Sequence, residues 1–395
     1  MRRSSFVVGL ALVLGSAACT VNTTAPAPIG QDPEAPAPAP TTPGLPGAVT
    51  PAALPFKPSN LDISDIDVSK LGDVTVTATC ELTAGDERET FCGESKNVAY
   101  KLVDQPGAGK IGVFVARSIR VEPNARITIK GTRAIAIVAL DTFDVRGAID
   151  ASASWDYASP GGFKAAGGAE ALDGAGPSAG KAGTLVSGAG GGGHCGNGGA
   201  GGAVDPAEMV PGGATQGSDT IVPLVGGSSG GKGHLGAGTG GGAIQLVAGK
   251  QLVIAASASI SANGGGGSNS GAVRQQPASG GGAGGAILLE GTKVSVLGKL
   301  SANGGAGGGN RERGQDGRIG ETPAESPYTS EGSAGGSGSA GETIHGGDAI
   351  AIADRAGTGG GGAAGRIRVN GDTVEVTGLL SPRLGPCAVQ GSLKK

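Results

Sequence analysis

Residues 241–263 read GGAIQLVAGKQLVIAASASISAN, and residues 284–305 read GGAILLEGTKVSVLGKLSANGG. Both hold three short runs in which apolar residues alternate with others, and both are bounded by glycine. Side chains on a β-strand alternate faces with period two, so each run puts its i and i+2 residues on one side. In the first segment these pairs are Ile244 and Leu246, Leu252 and Ile254, Ile260 and Ala262; in the second they are Ile287 and Leu289, Val294 and Val296, Leu300 and Ala302. The pattern returns at Ile135/Ile137, Phe143/Val145, Ile149/Ala151, and again at Ile367/Val369, Val374/Val376, Leu380/Pro382. A fifth copy is read upstream at Val113/Val115, Ile119/Val121, Ile127/Ile129. Copies of one supersecondary unit that cannot bury an apolar face alone are expected to stack.

Three strands per copy, with no helical stretch between copies, predict an all-β chain. The specific expectation is a right-handed parallel β-helix of about five coils, each of three short strands, with aliphatic columns stacked at about 4.8 Å. The rival is an antiparallel sandwich, which needs two-residue Asn-Gly or Asp-Gly turns between long strands. Here the third run leads instead into Ser-Ala-Asn-Gly-Gly and a long excursion. Helix is excluded as the main element: 82 of the 395 residues are Gly, and an interior Gly costs a helix about 1 kcal/mol relative to Ala. A net charge of −3 with one Trp, three Tyr and six Phe gives neither the basic stripe nor the stacking surface that nucleic acid requires.

The amino terminus carries Arg2 and Arg3, an apolar run from Phe6 to Leu14, and small residues up to Ala18 before Cys19. The run is too short to span a bilayer and reads as a secretion signal over residues 1–18. Small residues ending at Cys resemble the lipobox of bacterial lipoproteins, although Ser16 stands where that motif prefers Leu. The resemblance implies that Cys19 becomes the lipidated first residue and that Thr20 behind it directs the protein to the outer membrane. The other reading is an ordinary signal cut near Ala18 that leaves Cys19 a free thiol. Residues 19–58 are Ala/Pro-rich, as in Ala35-Pro36-Ala37-Pro38, and favour an extended spacer of about 3 Å per residue. Residues 59–110 are expected to cap the first coil, 111–385 to form the β-helix and 386–395 a tail.

Four further cysteines remain, an even number in an exported chain, which favours disulfides. Cys80 and Cys92 are close enough to bridge a local loop, and Cys195 and Cys387 then pair by default. No ligand spacing such as C-x-x-C is present, so neither metal nor cofactor is expected.

The excursions leave after Ala151, Ala262 and Ala302 and return before Ile244, Ile287 and Ile367, all at one corner of the repeat. Insertions that map to one face mark the functional surface. Gly beside the strands, with Asn263 and Asn303, is expected to supply turns with φ > 0. Runs such as 187–202, SGAGGGGHCGNGGAGG, are either disordered loops or packed extended rods. Trp155-Asp156-Tyr157 opens the first excursion with the only Trp of the chain; it suits contact with a glycan, and equally a covering role over the core. Gly226-Gly227-Ser228-Ser229-Gly230 matches the hydrolase G-x-S-x-G pattern but lacks the helix that must follow the Ser, so no catalytic residue is assigned.

The recurring A-I-x-L and L-S-A-N-G-G motifs over residues 111–385 resemble uncharacterised Gly-rich β-helix lipoproteins of myxobacteria and related Gram-negative bacteria. A looser similarity is to mycobacterial Gly-rich surface repeat proteins. The resemblance implies an envelope location and no catalytic residues. The function expected is therefore a non-catalytic structural or adhesive surface element of the envelope. Its partners are the membrane, through the lipid, and glycans or other envelope proteins. The alternatives are a polysaccharide lyase or hydrolase on a β-helix and a subunit of an outer-membrane surface assembly.

Overall fold

Period-two alternation becomes strands that lie side by side in one direction. In the computed structural model Ala243–Ile254 pairs in parallel with Ala286–Val296, and that strand with Arg366–Val376. The register sets Ile135, Ile244, Ile287 and Ile367 in one row and Ile137, Leu246, Leu289 and Val369 in the next. The short strands Ala148–Asp150, Ser259–Ser261, Lys299–Ser301 and Leu379–Ser381 pair in the same sense in a second sheet, aligning Ile149, Ile260, Leu300 and Leu380. The chain thus alternates between a ten-stranded and a seven-stranded sheet. The inward rows of both merge into one apolar core, which also takes Phe143, Val145, Leu252, Ile254, Val294 and Val296.

The structure describes residues 52–84, 89–93, 96–157, 159–165, 167, 170–270, 276–326, 334–350 and 357–394. The signal segment, Cys19 and most of the Ala/Pro-rich spacer lie outside them. Among the described residues the helical elements are two short 3₁₀ turns, Val68–Lys70 and Pro206–Glu208, so the all-β expectation holds.

Several finer expectations change. In three of the five copies the first two runs fuse into one long strand, as in Ala243–Ile254, which is irregular between Ala248 and Gln251, while the two upstream copies keep three separate strands. In the first run of the fifth copy the frame is shifted by one residue: Phe114 and Ala116, not Val113 and Val115, join the core, whereas Ile119, Val121, Ile127 and Ile129 face it as expected. One residue of slip moves every side chain to the opposite face. Val113 and Val115 are still fully buried, because that outer face is covered as well. The cover is the segment around Phe56, Leu61, Ile63, Ile66 and Leu71, joined by Ile221 and Leu224. A sheet buried on both faces gives continuous apolar runs, which hide the frame from the sequence.

Packing therefore begins before residue 59, at Ala52 and Phe56. The region read as a cap adds strands of its own. Asp73–Val76 pairs in parallel with Ser118–Val121, and Cys80–Ala84 with Arg126–Gly131, beneath the first repeat. Glu89–Phe91 pairs antiparallel with Cys80–Ala84, and Ala99–Gln105 with Ala108–Ala116, which makes both sheets mixed. At the other end Ala388–Gly391 pairs with Arg366–Val376, so residues 386–395 are not a free tail.

Candidate functional site

Among the described residues, the glycine runs of the excursions are neither strands nor loose loops. In the stretch 188–193 the Gly188 and Gly191 N–H groups donate to Gly202 and Gly199, those of Ala189 and Gly192 to Ala278 and Gly281, and those of Gly190 and Gly193 to Lys181 and Ser178. Every third residue returns to the same neighbour. The stretch 278–285 behaves alike: Ala278, Gly281 and Gly284 donate to Gly357, Gly360 and Ala363, while Ser279, Gly282 and Gly285 donate to Ser268, Gly265 and Ala262. A three-residue period without internal hydrogen bonds is that of a polyproline II rod, whose polar groups must find partners outside it. Here they find them on neighbouring rods, so buried backbone is satisfied without strands or helices. Of the two readings of the Gly-rich runs, packed rods is the one observed.

The role of glycine is close approach. A Cβ at Gly191 would lie 1.9 Å from Gly361 O, at Gly281 2.2 Å from Gly305 O, and at Gly285 1.8 Å from Gly242 O. Positive φ, expected beside the strands, is absent at Gly242, Gly285 and Gly365, and at Asn263 and Asn303. The two Asn side chains serve the corner differently. Asn263 Oδ1 accepts from Ser301 Oγ and the Asn303 N–H at 2.7 and 2.9 Å, and Asn303 Oδ1 accepts from Ser381 Oγ at 2.7 Å.

Trp155, Asp156 and Tyr157 stand where the first excursion leaves the sheet. Trp155 takes a left-handed backbone conformation, φ 50°, in a tight turn closed by the Tyr157 N–H donating to Ser154 O at 3.0 Å. Its indole Nε1 donates to Ser268 Oγ at 2.8 Å and its backbone N–H to Asp316 Oδ1 at 2.9 Å. Asp316 also accepts from Ser154 Oγ and the Gly266 N–H and pairs with Arg313, whose guanidinium stands 5.6 Å from the indole centroid. The corner thus joins all three excursions. Tyr157, edge-on to the indole at 6.5 Å, is the exposed ring, and Asp156 lies 3.7 Å from Lys164. What it offers a ligand is the exposed Tyr157 ring; Arg313 is engaged with Trp155 and Asp316, and Lys164 with Asp156. Arg313, Asp316 and Ser268 carry no sequence signal; each sits in a glycine run far along the chain.

Both expected disulfides are present, Cys80–Cys92 and Cys195–Cys387, the second tying a glycine rod to the segment before the last strand. His194 and His345 have different ring partners. His194 is buried, its Nδ1 2.9 Å from Gly284 O, and burial pushes its imidazole down to about 4. His345 Nδ1 accepts from the Asn197 N–H at 3.0 Å. Ser228 is buried in a rod, where its hydroxyl accepts from the Ser178 N–H. Asp141, Asp144 and Asp150 each form an ion pair, with Lys250, Arg146 and Arg126. Among the described residues no group of three His, Cys, Asp or Glu side chains could hold a metal ion.

Compared with family models, curated proteins and solved structures, the chain matches none.

Proposed function

We propose that this chain is an exported structural or adhesive element of a Gram-negative cell envelope, held at the outer membrane by lipid on Cys19. In this reading the two sheets are the walls of a right-handed parallel β-helix, which carries the glycine-rod lattice as its working face. The observation that carries the proposal is the lattice itself. Rods from three excursions satisfy one another's backbone so closely that a single methyl group would collide with a carbonyl oxygen. That arrangement suits a stiff presenting surface. The two disulfides fit an oxidising compartment, and the Pro-rich spacer suits a stalk.

The test is to express the full chain in a Gram-negative host and follow incorporation of labelled palmitate. Labelling that Cys19→Ser abolishes, together with recovery in the outer-membrane fraction, supports the proposal. An unlabelled or cytoplasmic protein defeats it. A glycan array on the same preparation separates binding without turnover from polysaccharide cleavage, which would favour the enzymatic alternative. Stoichiometric co-purifying envelope proteins would favour the assembly subunit.

A further inference from the structure

A row of small residues on the outer face of the ten-stranded sheet ends in a cation. The register aligns Ala243 with Ala286 and Ala286 with Arg366. Arg366 is 7% exposed. Its Nη2 donates to Gln216 O at 2.6 Å and Gly217 O at 3.2 Å, and its Nε to Gln216 O at 3.2 Å. Among the described residues no carboxylate lies within ion-pair distance of it; Asp219 acts on it only through space, and burial pulls its pKa down. A guanidinium withdrawn from water is costly unless an anion meets it, and neutral carbonyl oxygens leave its charge uncancelled.

Arg366 lines a cleft of about 210 Å³ with His194 and Ser218. This cleft shares Gly107, Pro177 and Val225 with a second of about 490 Å³, lined by Phe163, Lys110 and Arg133. No Asp or Glu is among the residues lining either cleft, in a chain whose net charge is negative. Lys110 keeps an exposed pair with Asp104 at 3.1 Å, of the kind that binds weakly and yields to competitors. The joined clefts therefore offer a buried guanidinium in the smaller, and an accessible ammonium, an aromatic ring and apolar wall in the larger.

We infer that these joined clefts bind an acidic saccharide, with a uronate carboxylate on Arg366 and a sugar ring against Phe163. Guanidinium presents paired donors that match a carboxylate, and pyranose rings pack their C–H faces on aromatic and apolar walls. The inference names a ligand class for the adhesive reading but does not depend on the lipid anchor.

The test is calorimetric titration of the full chain with oligogalacturonate, its neutral methyl ester, and inorganic phosphate. Oligogalacturonate should bind at least tenfold more tightly than the ester, and added salt should weaken it. Arg366→Ala should weaken it at least tenfold; this variant places at 366 the residue already found at 243 and 286, so the fold is kept. Lys110→Gln, on the surface, should weaken it severalfold. Equal binding of acid and ester, no binding of the acid, or full binding by Arg366→Ala overturns the inference. Phosphate binding that needs Arg366, with no saccharide binding, overturns the saccharide and leaves a small-anion site. Loss of palmitate labelling with retained saccharide binding would defeat the envelope proposal alone.

Discussion

The Ser59 backbone N–H donates to Glu290 Oε2 at 2.9 Å, across 231 positions of sequence. Glu290 is buried, and its carboxylate also accepts from Ser59 Oγ, Gln245 Nε2 and Asn370 Nδ2. It fastens the segment before the first strand to the middle of the ten-stranded sheet, over the second apolar cluster. Glu290→Ala strands four donors. It is expected to destabilise the chain by about 3 kcal/mol, since buried groups that lose a charged partner cost about 1 to 3 kcal/mol each with partial relaxation. Urea denaturation reads the loss, and hydrogen exchange should show protection falling first around residues 56–71.

Substitution of glycine should divide sharply by position. Gly281→Ala would set a methyl carbon 2.2 Å from Gly305 O, whereas at Gly109 nothing lies within 4 Å. The first should lose about 3 kcal/mol or more, as overpacking of a rigid interior does. The second should be neutral or gain up to about 1 kcal/mol by restricting the unfolded chain. Thermal melts of the two variants decide it, and equal midpoints would refute the close-approach account.

The two disulfides close loops of very different size, with sequence separations of 12 and 192. By chain entropy they restrict the unfolded state by about 3 and about 5 kcal/mol. The pair Cys195→Ala/Cys387→Ala should therefore lower the urea midpoint more than Cys80→Ala/Cys92→Ala. The reverse order would show that the unfolded chain is already confined by residual structure.

His194 should make the fold sensitive to mild acid. Its folded value near 4 lies below the ordinary 6.5, so between those pH values the unfolded chain binds more protons. Stability is then fully present above pH 6.5 and falls as pH drops towards 4, by on the order of 3 kcal/mol. The lowered carboxyls, held by hydrogen bonds from Ser64 to Asp62, Lys101 to Asp65, Ser69 to Asp67, Lys181 to Asp173 and Arg383 to Glu321, stabilise the fold at neutral pH and lose that contribution only as the pH falls through and below the ordinary carboxylate range. His194→Asn keeps a donor near Gly284 O and should flatten the slope between pH 6.5 and 4.5. A slope that persists in the variant assigns it to another group.

The rows through Ile244, Ile287 and Ile367 were legible because inward strand residues alternate and the repeats share one register. The Cys80–Cys92 bridge was legible from proximity in sequence, and Cys195–Cys387 followed by default. Val113 and Val115 were read in the wrong frame because both faces of that strand are apolar, and nothing local distinguishes inside from outside. The ordering of the glycine runs was only half legible. Composition marks a segment that cannot bury side chains, but not that its backbone will be taken up by other segments of the same kind. The Trp155 corner was found by its aromatics, while Asp316, which holds it, was hidden within a run of glycine and charge. Arg366 was invisible as a site because its meaning lies in the alanines beside it in space.

The rotation of donors around each rod also constrains how such a protein can change length. Deleting one residue from the stretch 278–285 would turn every later N–H by a third of a circle, from the neighbour at 357–363 to that at 262–268 or 228–231. Removing three restores the facing of each group and shortens the rod by one turn. Natural variation in these segments should thus proceed in triplets of amino acids, an indel rule that ordinary surface loops do not obey.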